Sequence, residues 1–383
     1  MKILHVTPHL PPDQAANALL PWLLGQWSGE SGDDVEYLAH PPRAAGGASL
    51  PGPVTWIPRR HGRSPAARWL RLDALPTAWH LHRSLAAALE RCDLVHAHSN
   101  GLLPELAVLL ARRAGKPVVL TLYGTEIWHY GPKRIGPDLF TRAYHAASAV
   151  TFYSERLLAR ARELGLNRRG LHTIYPPVGP AFVWHDASAQ AEARRALGIG
   201  NRQLLLNVKR LHPLAGQRHL IEAMSEVIRT HPDTRLVICG TGALLEDLQS
   251  AARSAGVERH VTFTGLLDNT TVARYCGAAD LFVLPSLLEA LPTVALEALA
   301  CGTPVLSTDN PGGLELYELF GRDVAIVPRE QPLRLARAIV EFFHHKRRAA
   351  DVTAATIERE FRPHATVAAY RAVYVEAQRE ARS

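Results

Sequence analysis

Short apolar runs rich in Val, Ile and Leu recur along the chain, each followed by a longer amphipathic or Ala-rich stretch. In the first half they fall at 2–7, 93–97, 117–122 and 149–153. In the second half the alternation is cleaner, with candidate strands at 203–208, 234–239, 260–264, 280–284, 304–307 and 324–327 and helical stretches such as 216–230, 243–255 and 292–300 between them. Strands without internal polar alternation, separated by helix-length segments, predict parallel sheets covered on both faces. Two such series predict an α/β chain of two Rossmann-like, doubly wound domains facing a cleft. Four prolines and glycines in IYPPVGPAF (174–182) break regular structure and place the boundary there, giving domains at 1–178 and 179–360. The stretch from 361 to the end reads as a helix with no strand after it, expected to cross back to the first domain.

The length of 383 residues suits two domains, and a hydrophobic share of 47% is that of a soluble globular protein with real cores. No stretch reaches the ~18 uninterrupted apolar residues of a membrane span. The opening MKILHVTPHLPP is broken by His5 and Pro8 and reads as a first strand rather than a signal peptide. The four cysteines, at 92, 239, 276 and 301, show no CxxC spacing and are expected to be buried thiols of a cytoplasmic protein.

The net charge of +7 is unevenly placed: residues 1–178 hold 20 Lys/Arg against 13 Asp/Glu, and the remainder 23 of each. Part of the excess lies in 56–83, where Arg59, Arg60, Arg63, Arg68, Arg71 and Arg83 stand among Trp56, Trp69 and Trp79. A solvated arginine-rich face is the plainer explanation; a peripheral contact with an acidic membrane or an anionic acceptor is the sharper one. No nucleic-acid-binding motif accompanies the charge.

The densest chemistry lies in DLFVLPSLLEALPTVALEALACGTPVLSTDNPGG (280–313). A buried strand runs into a loop with Glu289, Pro292 suits a helix's first turn, and Glu297 follows on that helix. Backbone N–H groups at 291–293 are expected to form an anion cradle suited to a diphosphate, flanked by two carboxylates that accept hydroxyl hydrogen bonds. Gly302 ends the helix, and Gly312 and Gly313 open the next turn.

This run, E-x7-E ahead of EALACGTPV and then GG and Glu315, resembles the signature of family-4 retaining glycosyltransferases of the GT-B fold. The resemblance implies that Glu289 lies near the transferred sugar and Glu297 binds the ribose of a nucleoside-diphosphate sugar, with Ala290, Leu291, Pro292 and Thr293 beside the diphosphate. LLNVKRLHPLAGQRHLIEAM (205–224) resembles the family's diphosphate-gripping segment: Arg210 and Gly216 match, while Ala215 stands where a lysine is usual and Lys209 is a candidate for supplying the missing charge. VICGTG (237–242) places Gly240 at the next turn. DLVHAHSNG (93–101) and VVLTLYGTEIW (118–128) resemble the acceptor domain, putting His98, Tyr123, Gly124 and Glu126 on the acceptor side, with Tyr123 where a sugar-contacting histidine is usual. Ala15, Ala16 and Asn17 replace paired glycines. Glu289, Arg210 and His98 are thus the expected catalytic residues. No D-x-D pair is present, so no metal and no cofactor beyond the sugar nucleotide as co-substrate is expected; cationic side chains and helix amides would stabilise the leaving nucleotide. The departures at Ala215, Tyr123 and Ala15–Ala16 keep one alternative open, a GT-B sugar-nucleotide enzyme of another type (an epimerase or a non-glycosidic coupling enzyme); the retained Glu289, Glu297 and Arg210 argue against a second, a non-catalytic sugar-nucleotide-binding protein.

Overall fold

The computed structural model of the chain describes residues 1–13, 16–42, 49–58, 74–132, 138–345 and 347–382. Of the arginine–tryptophan stretch, Arg59, Arg60, Arg63, Arg68, Trp69 and Arg71 lie outside the described residues, as does Ala15. The chain divides into two compact units, Met1–Tyr175 with His364–Ser383, and Pro176–Pro363.

The first unit is built on a parallel sheet of seven strands: β1 (Lys2–Thr7), β2 (Asp34–Ala39), β3 (Val54–Trp56), β4 (Leu94–His98), β5 (Val118–Leu122), β6 (Ala149–Phe152) and β7 (Leu171–Thr173), in spatial order β3-β2-β1-β4-β5-β6-β7. Every residue of β4 and β5 is buried, as helices on both faces require. The last helix, Pro363–Arg382, packs Val367, Tyr370, Val373 and Tyr374 into the same core as Ile3, Leu94, Val119 and Ala149. A buried aliphatic side chain of this kind contributes about 1.5–3 kcal/mol, so packing rather than helix propensity holds this element.

The second unit carries six parallel strands, β8 (Leu204–Val208), β9 (Arg235–Cys239), β10 (Val261–Gly265), β11 (Leu281–Leu284), β12 (Val305–Thr308) and β13 (Val324–Val327), in the order β10-β9-β8-β11-β12-β13. Both units are therefore the expected Rossmann-like α/β layers, and β2, β3 and β7 are additional to the strands read from the sequence. Helix Gln217–Thr230 shows how the second unit is assembled. Leu220, Ile221, Met224 and Val227 face the core, and the helix starts at Gly216, whose φ of +66° only glycine adopts without strain. A Cβ at that position would sit 2.0 Å from the Pro285 carbonyl oxygen. All four cysteines are unpaired and buried. No helix among the described residues is long and apolar enough to cross a membrane.

Candidate functional site

Open parallel sheets bind ligands beyond the carboxyl ends of their strands, where strand order reverses. In the second unit that point lies between β8 and β11. Lys209 and Arg210 follow β8 directly, and the loop after β11 carries Glu289. Lys209 Nζ lies 2.6 Å from Glu289 Oε1, with the two side chains 29% and 12% exposed. Arg210 is exposed, and its guanidinium has no ion-pair partner among the described residues. One carboxylate, one bound cation and one open cation thus meet at the strand ends.

The glycines around this point permit backbone approach. A Cβ on Gly240 would lie 2.1 Å from the Lys209 carbonyl oxygen, and one on Gly242 would lie 2.1 Å from that of Leu211. The expected Gly240 turn therefore supports the Lys209–Arg210 segment from beneath. The buried Gln217 side-chain amide donates to the carbonyls of Lys209 and Arg210 at 3.3 Å each. On the other side, Gly312 N donates to Glu289 O at 3.1 Å, and a Cβ at Gly312 would lie 2.8 Å from Glu289 Cβ. Asn310 caps helix Pro311–Phe320 by accepting from Gly313 N, and its amide donates to Ser286 O and Thr308 Oγ1. Gly312 and Gly313, expected to open the next turn, lie in the first turn of this helix.

Helix Thr293–Ala300 starts one residue later than expected, with Pro292 as its cap. Pro292 has no N–H, so the expected cradle at 291–293 is corrected to the amides of Leu291, Thr293 and Val294, which donate to no group among the described residues. Ala295 N and Leu296 N both turn to Pro292 O. The absence of a capping side chain leaves this N-terminus open to an anion. Glu297 stands one turn in. Part of its surface remains accessible, but protein crowds the carboxyl, and burial, then the neighbouring Cys301, pushes its pKa up to about 8. Ala215, in the short turn Pro213–Ala215, is 2% exposed. The position where the family resemblance implies a lysine is thus filled by a buried methyl.

In the first unit the strand order reverses between β1 and β4. His98 ends β4 and is fully buried, with Nδ1 2.8 Å from Tyr123 Oη and Nε2 2.9 Å from His5 Nδ1. His96 Nδ1 lies 2.8 Å from Tyr374 Oη and Nε2 2.6 Å from Thr121 Oγ1. Burial holds His5 down to about 3, and holds His96 and His98 well below the ordinary histidine range, with neighbouring rings adding to it. Glu126, 4% exposed, binds the strand ends together: its carboxylate accepts from Ser99 Oγ, from Gly124 N at 2.8 Å and from Tyr123 N at 3.3 Å. Ser99 adopts a left-handed φ of +66°, strain that this bond helps hold. Asn17 sits in the first turn of helix Ala16–Glu30, its carbonyl accepting from Thr7 Oγ1.

Two groupings emerge: Lys209 with Glu289, next to Arg210 and the amides of Leu291 and Thr293 in the chain, in one unit, and His98, Tyr123, Gly124 and Glu126 in the other; Glu297 follows on the adjoining helix, its carboxyl toward Cys301. The sequence reading passed over His5, Ser99, Gln217 and Asn310. His5 and Ser99 meet partners 93 and 27 positions away, which spacing does not reveal, while Gln217 and Asn310 bond mostly to groups nearer in the chain that belong to no motif. The nitrogens of His5, His96 and His98 lie within 4.8 Å of one another, a grouping a metal ion also uses. Five of the six nitrogens, however, already face a hydrogen-bond partner. A groove of about 470 Å³ lined by Leu85, Leu89, Leu110, Arg113 and Lys116 among others touches none of these residues, so chemistry rather than volume marks the site.

Two family models match the chain, "Glycosyltransferase Family 4" over residues 24–182 and "Glycosyl transferases group 1" over 189–359. A GDP-mannose-dependent alpha-(1-6)-phosphatidylinositol monomannoside mannosyltransferase of Mycolicibacterium smegmatis is 33% identical over 267 residues, covering 65% of this chain and 68% of the relative. A 2-deoxystreptamine glucosyltransferase of Streptomyces kanamyceticus is 28% identical over 265 residues, covering 63% and 67%. Among solved structures, Anabaena HepE in complex with UDP superposes with a TM-score of 0.73 at 18% identity over 97% of this chain and 99% of that one. Sucrose-phosphate synthase from Thermosynechococcus elongatus gives 0.75 at 18% identity over 98% of each. These two likenesses speak to the fold.

Proposed function

The chain belongs to the family-4 glycosyltransferases of GT-B fold, and on that premise we propose that it moves a sugar from a nucleoside-diphosphate sugar to an acceptor hydroxyl, with retention of anomeric configuration and without a metal ion. The observation that carries the reading is the Lys209–Glu289 pair at the strand reversal of the second unit, beside the unused amides of Leu291, Thr293 and Val294. A diphosphate arriving there competes for Lys209 and frees Glu289 to accept hydrogen bonds from sugar hydroxyls. Lys209, Arg210 and the amides then face the charge that develops on the leaving phosphate. Glu297, protonated near neutral pH, both donates to and accepts from the ribose hydroxyls. For attack on the face of departure the leaving phosphate oxygen takes the acceptor's proton, so no protein base is required; this step rests on the family resemblance.

The acceptor is read in the first unit, at His98, Tyr123 and Glu126. The two relatives are named for different acceptors, one for a phosphatidylinositol mannoside and the other for 2-deoxystreptamine. Exposed Trp79, with the Arg83 guanidinium 5.8 Å from its ring, supports a peripheral contact of the 56–83 stretch with an anionic lipid surface on the cytoplasmic side. The relative's GDP-mannose and the UDP held by HepE make both nucleotides the first to screen.

The test is turnover of GDP-mannose and UDP-glucose with candidate acceptors, followed by proton NMR of the product. An α-linked product from an α-donor, formed at an unchanged rate in EDTA, is expected. A β-linked product overturns retention, and a loss in EDTA restored by Mg²⁺ or Mn²⁺ overturns metal independence. The departures at Ala215 and Tyr123 favour one alternative, a non-glycosidic reaction on the same sugar nucleotide, which nucleotide release without a glycoside would identify.

A further inference from the structure

The buried histidines of the first unit do more than fill a core. His5 on β1 stands in register with His96 on β4, and His98 follows two residues on, so all three rings share one face of the sheet. Their burial keeps each ring neutral, with a single N–H to place. The ring of His96 is satisfied at both ends by Tyr374 and Thr121. His5 and His98 share one contact, His98 has a second with Tyr123, and His5 Nε2 is buried with no partner among the described residues.

Only two arrangements of the protons fit. In the first, His98 donates from Nε2 to His5 Nδ1. The His5 proton is then forced onto Nε2, a buried N–H with no acceptor, and His98 Nδ1 accepts from the Tyr123 hydroxyl. In the second, His5 donates from Nδ1 to His98 Nε2, and His98 donates from Nδ1 to Tyr123 Oη. The only unmet group is then a lone pair on His5 Nε2. Orphaned buried N–H groups are rarer in proteins than under-used acceptors, so the second arrangement is preferred.

We propose that His5 and His98 form a one-way hydrogen-bond relay that makes the Tyr123 hydroxyl an obligate donor toward the substrate, selecting a bare acceptor oxygen, such as that of a phosphoryl or carboxylate group or a hydroxyl lone pair, beyond the carboxyl end of β5. With its oxygen taken by His98, Tyr123 turns its hydrogen away from the cluster. Burial holds the phenol well above its ordinary range, so the hydrogen stays in place at any working pH. Tyr123 follows β5 directly and is half-buried, where ligands approach such sheets. A histidine in its place titrates and offers either a donor or an acceptor; the tyrosine held in this way has its hydrogen fixed as the group it offers first. Tyr123 is the substrate-contacting group, and His5 and His98 are positioning residues. The substrate part of this inference rests on the function proposed above; the relay does not.

The experiment is a long-range proton–nitrogen correlation spectrum of the full chain labelled with ¹⁵N-histidine, at neutral pH, with and without Zn²⁺, for wild type and Tyr123→Phe. The expected result is that His5 and His98 both carry their proton on Nδ1, and that Tyr123→Phe shifts the His98 Nδ1 proton while His96 stays put. A proton on Nε2 of either His5 or His98 overturns the relay, and displacement of all three rings by Zn²⁺ replaces it with a metal site. In parallel, Tyr123→Phe is expected to lower turnover about 10- to 100-fold with GDP and UDP affinity unchanged, the size of one hydrogen bond to a charged or polarised oxygen. Unchanged turnover in that variant overturns the substrate contact. A wild-type protein that released no nucleotide would defeat the proposed function instead, and the spectrum would still decide the relay.

Discussion

Lys209→Met removes a charge while keeping the length of the side chain, and it separates structure from chemistry at the donor site. In the free protein the change leaves the Glu289 carboxylate without the cation 2.6 Å away. Both side chains keep contact with water, so the pair itself is worth on the order of 1 kcal/mol of stability. During transfer the departing diphosphate gains one unit of negative charge. A cation about 4 Å from that charge, at an effective dielectric of ~20, stabilises it by about 4 kcal/mol, and water and the neighbouring Arg210 reduce this to ~2–4 kcal/mol. The expected loss in kcat is therefore roughly 30- to 1000-fold, with a melting shift of only a few degrees. Single-turnover nucleotide release alongside a thermal melt reads both quantities. A kcat within about threefold of wild type, together with a lowered melting temperature, would refute the reasoning: Lys209 would then be a structural ion-pair partner only.

Two further changes test the surroundings of that pair. Glu297 has its pKa raised in the folded protein from 4.5 to about 8, so its contribution to stability is fully present below pH 4.5 and is lost as pH rises through 8. Glu297→Gln removes this dependence and should gain on wild type between pH 5 and pH 9 by no more than about 5 kcal/mol, a ceiling because the side chain is part-exposed; parallel urea-unfolding curves at the two pH values would contradict it. Gly312→Ala places a methyl 2.8 Å from Glu289 Cβ and should reduce kcat about tenfold or more by displacing Glu289, with about 1–3 kcal/mol of destabilisation. Gly29→Ala, in helix Ala16–Glu30 with nothing within 4 Å, is the control and should be neutral or slightly stabilising.

The parallel layers were legible because strands buried on both faces, such as β5 and β11, are uninterrupted apolar runs. The edge strands β3 and β7 escaped because three residues, none of them buried, carry no such run. β2 escaped because it opens on Asp34 and holds Glu36. At the site, Glu289 and Glu297 were readable together since one loop and one helix carry both. The partnership of Lys209 with Glu289 spans 80 positions, so spacing could raise Lys209 only as a candidate. The His5–His98 contact, 93 positions apart, depends on β1 and β4 becoming neighbours, and local sequence showed only a histidine interrupting an apolar strand. The cap at Pro292 moved by one residue because proline is tolerated both just before a helix and in its first turn.

The central claim is that the second unit holds a sugar nucleotide with Glu289 against the sugar. It is tested most directly by nucleotide release from GDP-mannose and UDP-glucose, comparing wild type with Glu289→Gln at matched GDP and UDP affinity. Release by wild type from one of these donors, falling about 100-fold or more in the variant while nucleoside-diphosphate binding persists, is the predicted result. Equal release by the two proteins would contradict the account.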